Sequence, residues 1–600
     1  MAEGEPKYSR SRPLVVGAMQ WFAGVGLFAA TSAIVWWQNS RLTVLYDLCG
    51  VLEPATRIAQ GDMPYRDFPF PYAPLTFLTQ AELIRLTGAV YWHHIAYACI
   101  VAGLSTVIAW RIMNDLLSAS LFRPRLTAFL LALPITVLGV YCVFPHPFYD
   151  PDACFVILVG IWLLLYCERK SWPPLRTFLI GVVLVVPLFI KQNIGSALLA
   201  SLGTWVVVML GVCLRKKLPL RHYVLLLLGM LAGVGAALTI IHFTCGLETY
   251  KLWTITFATA RRTPSVTDML SVYSDPWLAL WVVSLLLGAF FLLCNRDGRI
   301  SGKIIGTTLI VVPFIWPVAY LLVDSDSSER AERLVNIWPI VFVALILLAY
   351  VFVRRLTGVA ALLPFLLVAT SHGVFLSQQL WGSTYGIWPL LLIMIALVIR
   401  TVHDPERGRG VPLTIAALMI SALLTIAGGF YVYSNERLDY VDLDDGEIAH
   451  SPLPQLSGLS IRGDFLPDFE ELVAYTDANI PHDDGVVYLP GEDLFYYTTG
   501  RRPRFPVLLF DVTNNPYNAD EIRDQILSSD IEWIIVKNDM QLETDNTIDS
   551  KDEIFEGVKP AFRHIESLNN YEIYKRRHPN DPPDDEDDDD SDDGDDDPGN

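Results

Sequence analysis

Long apolar segments separated by short polar ones run from residue 14 to residue 434. A helix needs about 17–25 apolar residues to cross a bilayer. Segments of roughly that length lie at 14–37, 91–113, 124–144, 151–168, 175–190, 194–214, 221–243, 276–295, 304–323, 334–353, 357–376, 384–400 and 412–433. The segment 175–190 is short and is typical of a half-helix joined to the next one. The pattern predicts an α-helical polytopic membrane protein with about thirteen transmembrane helices.

The charges of the connecting loops predict the orientation of these helices. Cytoplasmic loops are enriched in Lys and Arg, and basic residues recur in every second loop, at 123–125, 169–176, 215–221, 296–303, 354–355 and 400–409. We therefore expect these loops and the N-terminus, residues 1–13, in the cytoplasm. The opposite loops carry acidic and aromatic residues, among them the first outer loop, 38–90. An odd number of spans places the C-terminal part outside, which predicts a multi-pass protein of the plasma membrane.

The polar residues 435–578 predict a small extracytoplasmic α/β domain. Residues 485–489, 504–510 and 531–537 have the apolar pattern of strands, and 519–529 has that of an amphipathic helix. Together these segments indicate a β-α-β arrangement. Residues 579–600 are dominated by Asp. Such a segment has little apolar surface to bury, so we expect it to form a disordered acidic tail.

Composition excludes several classes of function. The chain is 52% hydrophobic with a formal net charge of −20, which argues against a nucleic-acid partner. Its 8 cysteines occur singly, without a CxxC pair, so neither a zinc site nor a disulfide framework is expected. Because no spacing typical of metal ligands stands out, the sequence predicts a reaction without a metal ion or a cofactor.

The first outer loop has more carboxylates, aromatic residues and prolines than a simple connector between two helices would have. It places Asp47 directly after the first apolar segment and follows with Asp67 in the stretch PYRDFPFPY, where Tyr65 begins a series of aromatic residues and prolines. Carboxylates alternating with amphipathic rings are typical of a segment at the membrane surface. Membrane lipids are therefore expected partners of the chain.

Three further polar clusters are predicted on the same membrane face: PHPFYDPD with His146, Asp150 and Asp152; Lys191, Gln192 and Asn193 at the outer end of an apolar helix; and Arg261–Arg262 in the loop 244–275. Charged groups at a membrane are costly and call for an explanation. Here a carboxylate would serve as a general base and the cations would neutralise a phosphate leaving group. The alternative is a multispan transporter or lipid flippase, which should place its ionisable groups near the middle of the bilayer.

The stretch GDMPYRDFPFPYAPLTFLTQAELIRLTG resembles the first outer loop of polyprenyl-phosphate-sugar-dependent GT-C glycosyltransferases. These include the protein O-mannosyltransferases, the lipid A aminoarabinose transferase and related lipopolysaccharide glycosyltransferases. The residues that carry the resemblance are Asp47, Gly61, Tyr65, Asp67, Phe68, Pro74, Leu75 and Gly88, together with DPDACFVIL (150–158), FIKQNIG (189–195) and PGEDLFYYTTGRRP (490–503). Many members of the family have Asp-Glu at the first acidic position, where this chain has Asp47–Leu48.

The resemblance implies inverting transfer of a sugar from an outward-facing polyprenyl-phosphate donor to a lipid, glycan or protein acceptor. It implies Asp47 as the catalytic base, with Asp67 as an alternate. Asp150 and Asp152 would orient sugar or acceptor, and Lys191 would contact the lipid phosphate with help from Arg261 or Arg262. The remaining candidates for substrate binding are Tyr65, His146, Gln192 and Asn193.

Each of these residues also has a purely structural interpretation. Asp47 and Asp152 would cap the helices that follow them, and Asp67 would order the proline-rich turn. Lys191 would reach the lipid headgroups with its amine, and Arg261 and Arg262 would contact anionic lipids. The aromatic residues from Tyr65 onward would form an interfacial belt.

Overall fold

The helical part of the chain follows the apolar segments of the sequence. The structure, a computed structural model, describes residues 12–41, 43, 45–118, 123–263, 265, 267, 273–274, 276–295, 300–321, 338–374, 387–402, 410–433, 446–540 and 551–579. All thirteen apolar segments coincide with helical residues within these ranges, which confirms the prediction of helices there. Residues 1–11, which include most of the predicted cytoplasmic N-terminus, and residues 580–600 of the predicted acidic tail lie outside the described residues.

The helices up to residue 433 are α1 (Arg12–Asn39), α2 (Leu45–Ala59), α3 (Leu75–Thr87), α4 (Tyr91–Leu117), α5 (Pro124–Ala132), α6 (Ile135–Leu138), α7 (Tyr149–Arg169), α8 (Pro174–Val183), α9 (Gln192–Lys216), α10 (Arg221–Thr244), α11 (Leu247–Lys251), α12 (Ala258–Arg261), α13 (Pro276–Cys294), α14 (Ile300–Leu321), α15 (Trp338–Arg355), α16 (Gly358–Val374), α17 (Trp388–Val402) and α18 (Gly410–Tyr433). A π-helix over Leu252–Phe257 joins α11 to α12.

Six helices of the described part are long and apolar enough to cross a membrane, and shorter apolar helices accompany them. The chain is therefore a multi-pass membrane protein, while the number of about thirteen spans stays a prediction. Proline explains two of the shorter helices, because it has no N–H to donate. Pro134 separates α5 from α6, and α8 gives way to a 3-10 turn over Val186–Phe189 that contains Pro187.

Beyond residue 446 the chain forms two small sheets with helices on them. The elements are β1 (Ile448–His450), β2 (Ser460–Arg462), α19 (Phe465–Asn479), β3 (Gly485–Leu489), α20 (Phe495–Thr499), α21 (Ala519–Ser528), β4 (Ile531–Lys537), α22 (Lys551–Val558), β5 (Phe562–Ser567) and β6 (Tyr571–Arg576). The larger sheet has the order β3-β4-β6-β5, with β3 parallel to β4 and the other pairs antiparallel. We call the described residues from 446 onward the C-terminal unit.

The predicted β-α-β arrangement is confirmed for β3, α21 and β4. The strand predicted at 504–510 is wrong, because these residues form an irregular segment. Their apolar side chains are buried all the same, and Phe505 and Phe510 pack with Ile522 and Ile534 in the core of the sheet. Burial alone therefore produced the strand-like pattern in this segment.

The loop between α2 and α3, residues 60–74, is held by its own backbone and ring contacts. Gly61 has a φ of 110°, which only glycine adopts without strain. Tyr65 also has a positive φ, of 69°, and its hydroxyl donates a hydrogen bond of 2.6 Å to the Tyr72 carbonyl. Its ring packs edge-on against Phe70 and Tyr250. Tyr65 is thus an internal support of the loop.

The C-terminal unit packs on α2 and on the same end of the bundle as this loop. Asp62 accepts hydrogen bonds from Arg57 at 2.7 Å and from Arg502 at 2.6 Å. The buried Arg57 guanidinium also donates 3.0 Å hydrogen bonds to the carbonyls of Phe505 and Pro506. These contacts join α2 to the irregular segment of the C-terminal unit.

We expect Arg57→Met to weaken the attachment of the C-terminal unit by about 1–3 kcal/mol, because it leaves Asp62 with Arg502 as its one remaining cation and removes the donor from two carbonyls. Arg502→Gln is the matched control. The Arg502 side chain is 64% exposed, so the loss of its bond to Asp62 should cost no more than about 1 kcal/mol. Thermal unfolding and limited proteolysis between the two parts measure the difference, and equal effects would show that Arg57 does not hold the interface.

Candidate functional site

A cavity of about 560 Å³ opens between the first outer loop, the start of α7, the start of α9 and the segment that ends in α12. Its walls are formed by Pro71, Tyr72, Ala73, Tyr149, Ile190, Lys191, Gln192, Asn193, Ser196, Ala197, Ala200, Thr254, Ile255, Ala258, Thr259, Arg262 and Thr263. We call it the outer cavity. Of the site residues predicted from the sequence, it brings together Lys191, Gln192, Asn193 and Arg262.

Lys191 enters the cavity from the turn just before α9. Its side chain is 11% exposed, and its amine donates a 2.8 Å hydrogen bond to Asp150, whose side chain is 4% exposed. The amine also lies 4.1 Å from the centre of the Tyr149 ring, a cation–π contact. Asp150 and Tyr149 belong to the first turn of α7. One ion pair therefore joins the starts of α7 and α9 at the cavity wall.

The start of α9 is fixed by a close approach of two backbones. A Cβ on Gly195 would lie 2.2 Å from the Leu188 Cα, so only glycine fits against the 3-10 turn before the helix. Gln192 donates a 3.1 Å hydrogen bond to the Pro71 carbonyl in the first outer loop. The Asn193 side chain accepts a 3.0 Å hydrogen bond from the N–H of Ile194. The N-terminus of a long helix thus faces the cavity, where its dipole favours an anion.

Arg262 reaches the cavity from the opposite wall. It lies 4.4 Å from the centre of the Tyr72 ring and donates a 3.0 Å hydrogen bond to the Tyr72 hydroxyl. The same nitrogen, Nη1, also donates to the carbonyl and hydroxyl of Thr513 and to the Asn514 side chain, at 3.0–3.3 Å. All of these bonds leave from Nη1. Nε and Nη2 have no acceptor among the described residues and offer the paired N–H groups that bind phosphate.

An apolar groove continues from the outer cavity along α9. It has a volume of about 690 Å³ and runs between α9 and α16, with Ala197 and Ala200 belonging to both the groove and the cavity. Its other walls are Ser201, Thr204, Trp205, Val208, Met209, Ala361, Leu362, Phe365 and Ala369. A cationic pocket that opens into an apolar groove has the shape and polarity of a binding site for a lipid phosphate.

Asp152 lies near the cavity and serves the packing of helices. It accepts hydrogen bonds from the hydroxyls of Thr76 at 2.7 Å, Tyr97 at 2.8 Å and Tyr141 at 2.7 Å. These donors come from α3, α4 and the segment before α7, so one buried carboxylate joins three parts of the bundle. The expectation that Asp152 caps the helix is wrong, because α7 begins at Tyr149. His146 is fully buried against Phe144 and does not line the outer cavity.

Asp47 lies inside the first turn of α2, so it does not cap that helix from outside, as the structural interpretation required. Its neighbour Tyr46 donates a short hydrogen bond to Asp511 of the C-terminal unit. Asp67 accepts a 2.7 Å hydrogen bond from the Met63 N–H and is paired with Arg66. The Arg66 guanidinium lowers the pKa of Asp67 to about 2. Neither carboxylate lines the outer cavity.

Arg261 points away from the outer cavity, although it stands next to Arg262. It is exposed, and its guanidinium lies 3.4 Å from the Val512 carbonyl. The sequence does not distinguish the two arginines, because adjacent positions at the end of a short helix give no sign of which side chain turns inward. The structure separates them.

Two acidic residues near the site were not among the candidates predicted from the sequence. Asp511 interacts electrostatically with both Arg262 and Tyr72 and receives the bond from Tyr46. Glu53 is 4% exposed in α2 and accepts a 3.1 Å hydrogen bond from the Tyr497 N–H. It lines a small cavity of about 50 Å³ that shares Pro71 and Tyr72 with the outer cavity. The one feature of the sequence that could have predicted Glu53 is a carboxylate among the apolar residues of α2. No feature of the sequence points to Asp511.

Within the described ranges, no three His, Cys, Asp or Glu side chains are grouped so that they could hold a metal ion. The absence of a metal site from the whole protein stays a prediction.

No protein-family model and no curated protein matches the chain. Solved structures are similar to it. ArnT from Cupriavidus metallidurans bound to undecaprenyl phosphate is 12% identical over 92% of this chain and 97% of that chain, with a TM-score of 0.42. The Archaeoglobus fulgidus oligosaccharyltransferase tethered with an acceptor peptide is 8% identical over 92% of this chain and 74% of that one, with a TM-score of 0.48.

The apo form of the same ArnT gives a TM-score of 0.45 at 12% identity. At such identities and scores the similarity says nothing of the substrate, so the chemistry of the site has to come from its own contacts.

We expect Glu53 to make the docking of the C-terminal unit depend on pH. Burial raises the pKa of Glu53 to about 8, although the Tyr497 and Tyr496 N–H groups favour the carboxylate. A raised pKa means that the folded state holds the proton more tightly, so stability is full at low pH and is lost as pH rises through 4.5 to about 8. We expect the melting temperature to fall over that range and Glu53→Gln to reduce the fall.

The exposed Glu82 of α3 provides the control for Glu53, since Glu82→Gln removes the same charge without changing a buried group. Thermal unfolding of the wild type and both variants between pH 5 and pH 8.5 measures the effect. A Glu53→Gln profile parallel to that of the wild type would contradict the assignment.

Proposed function

We propose that the protein is an inverting glycosyltransferase that moves a sugar from a polyprenyl-phosphate donor to an outward-facing lipid, glycan or protein acceptor. The observation that carries the proposal is the outer cavity, in which Lys191 and Arg262 face each other at the entrance of the apolar groove between α9 and α16. The cations suit the phosphate of the donor, and the groove suits its hydrocarbon chain. On this proposal the cavity faces outside, and the C-terminal unit lies outside with it.

The cations are expected to act on the leaving group. As the acceptor oxygen attacks the anomeric carbon, the bond from that carbon to the phosphate oxygen breaks and negative charge grows on the phosphate. Arg262 offers Nε and Nη2, and the amine of Lys191 retains two donors beside its bond to Asp150. Donors fixed in a partly buried site stabilise such a charge more than water does. The released lipid phosphate therefore needs no general acid.

We propose Asp47 as the base that takes the proton of the acceptor hydroxyl. It stands at the start of α2, and the neighbouring Tyr46 interacts electrostatically with Tyr72 of the cavity wall. Asp67, the alternate, is engaged by Arg66 and by the Met63 N–H, and its lowered pKa makes it a weak base. Asp150 and Asp152 act through position in this proposal: Asp150 orients Lys191, and Asp152 holds the helices around the cavity.

The Tyr65 ring supports the first outer loop, and His146 packs against Phe144 and does not line the cavity. Either residue would therefore affect substrate binding through the shape of the site and not by touching the substrate. Gln192 and Asn193 remain proposed contacts for the donor, because both line the cavity beside Lys191.

Asp47→Asn should reduce sugar transfer by about 10²–10⁴-fold, because it removes the base and keeps the size of the side chain. The measurement is transfer from extracted polyprenyl-phosphate sugars to membrane acceptors by the purified protein. Asp67→Asn is the matched control in the same loop and should leave the rate nearly unchanged. Full activity of Asp47→Asn would exclude it as the base, and Asp150→Asn would then be tested in the same assay.

Arg262→Gln should raise the KM for the donor by about 10-fold to 100-fold, as expected for the loss of a hydrogen bond to a charged group. Arg261→Gln is the matched control, because Arg261 is the same residue type one position away and its side chain points out of the cavity. Equal effects of both substitutions would argue against phosphate binding at Arg262. Solute flux in vesicles without transfer from any lipid-linked donor would favour the transporter instead.

A further inference from the structure

A group of basic side chains lies at the opposite end of the bundle from the outer cavity. Both α7 and α9 start at the cavity, and they end at Arg169 and Lys216. At 1.5 Å per residue, these ends are about 30–36 Å from the cavity, which is comparable with the thickness of a bilayer core. The exposed basic residues at the two helix ends and in the loops after them are Arg169, Lys170, Arg176, Arg215, Lys216, Lys217 and Arg221. We call them the inner basic patch.

A ring contact joins the two loops that carry the patch. The Trp172 ring, in the loop between α7 and α8, stacks on the His222 ring at the start of α10, with the ring centres 5.3 Å apart and an angle of 21°. The next residue, Tyr223, interacts electrostatically with Cys213 of α9 and Glu168 of α7. The ends of α7 and α9 and the start of α10 therefore meet, and the basic residues form one surface.

The backbone holds both loops in fixed, costly conformations. Ser171 and Trp172 have φ values of 58° and 56°, and Lys217 in the other loop has a φ of 55°. This left-handed region is unfavourable for residues other than glycine. The N–H groups of Ser171 and Trp172 donate hydrogen bonds of 3.0 and 2.9 Å to carbonyls in the last turn of α7. The cations of the patch thus stand on loops that the fold fixes.

The acidic residues beside the patch leave most of its charge unpaired. Asp115 is paired with Arg169. Glu168 accepts a 3.0 Å hydrogen bond from the N–H of Val359 in α16. The other six basic residues of the patch form no ion pair with any residue that the structure describes. An anion from outside the protein is therefore the natural partner of this surface.

Apolar side chains beside the patch indicate that this anion is a lipid. Leu175 and Leu179 are 70% and 50% exposed and lie one turn apart on the same face of α8, with Arg176 next to Leu175. Because α8 runs from the patch back towards Lys191, Leu179 lies deeper in the membrane than Leu175. A soluble anion would make no use of this arrangement, whereas a phospholipid would place its phosphate on the cations and its chains on the leucines.

We propose that the inner basic patch binds an anionic glycerophospholipid. The phosphate is held by cations of both loops beside the Trp172–His222 ring pair, and the acyl chains run along Leu175 and Leu179 of α8. A zwitterionic phospholipid is the poorer ligand, because its ammonium group is repelled by the cations that bind its phosphate. The assignment is independent of the proposed sugar transfer, since it uses no residue of the outer cavity.

The test is lipid binding to the purified full-length chain in detergent, measured by native mass spectrometry. Wild type should bind dioleoylphosphatidylglycerol at least about tenfold more tightly than dioleoylphosphatidylcholine. The double substitution Lys170→Gln, Lys217→Gln removes one cation from each loop and should weaken binding of the anionic lipid by about 10-fold to 30-fold. The matched control is Arg125→Gln, Lys303→Gln, which removes two exposed cations from other basic loops and should leave the affinity unchanged.

Trp172→Leu tests whether the two loops act together. It keeps an apolar side chain and every cation but removes the ring contact, so it should weaken binding of phosphatidylglycerol several-fold and leave that of phosphatidylcholine unchanged. The proposal is overturned if wild type binds both lipids equally, or if the two double substitutions have equal effects. Displacement of the bound lipid by millimolar inorganic phosphate would also overturn it, because the site would then recognise a free anion.

Discussion

The structure depends on keeping two cations out of bulk water at the end of a helical bundle. A charge in such a place is stable only when a carboxylate, a ring face or a set of carbonyls replaces its hydration. Lys191 has Asp150 and the face of Tyr149, whereas Arg262 has Tyr72 and the loop of the C-terminal unit. These partners come from three separate parts of the chain, the start of α7, the first outer loop and the C-terminal unit, so the site exists only when all three are in place.

The neighbouring features follow from that requirement. Pro187 ends the ladder of helical hydrogen bonds before α9, and Gly195 lets α9 start against the turn that results. This break places Lys191 beside α7 at the level of Asp150, where an uninterrupted helix would have carried it elsewhere. Asp152, two residues on, fixes α7 through three hydroxyl groups. Asp150 thus stabilises the charge of Lys191, and Asp152 holds the helices around the cavity together.

The sequence was sufficient to predict the helices, because burial in a membrane leaves a long apolar signal. Lys191, Gln192, Asn193 and Arg262 were predicted as candidates because a membrane span does not need such polar groups, and all four line the outer cavity. The failures have a common cause. Segment 504–510 is buried without being a strand, and Glu53 and Asp511 matter through contacts across about 450 residues of sequence. Neither periodicity nor spacing reports which distant segments meet.

The different directions of the Arg261 and Arg262 side chains show what the C-terminal unit contributes to the site in the membrane part. Thr513 and Asn514 take the Nη1 hydrogen bonds of Arg262, which turns the guanidinium so that its other nitrogens remain for a ligand. Without this loop, Arg262 would have only Tyr72 to orient it, and its rotamer freedom would oppose the binding of an anion. The C-terminal unit therefore acts as a wall of the outer cavity. Since Glu53 and Arg57 attach that wall to α2, any condition that loosens them also loosens the orientation of Arg262.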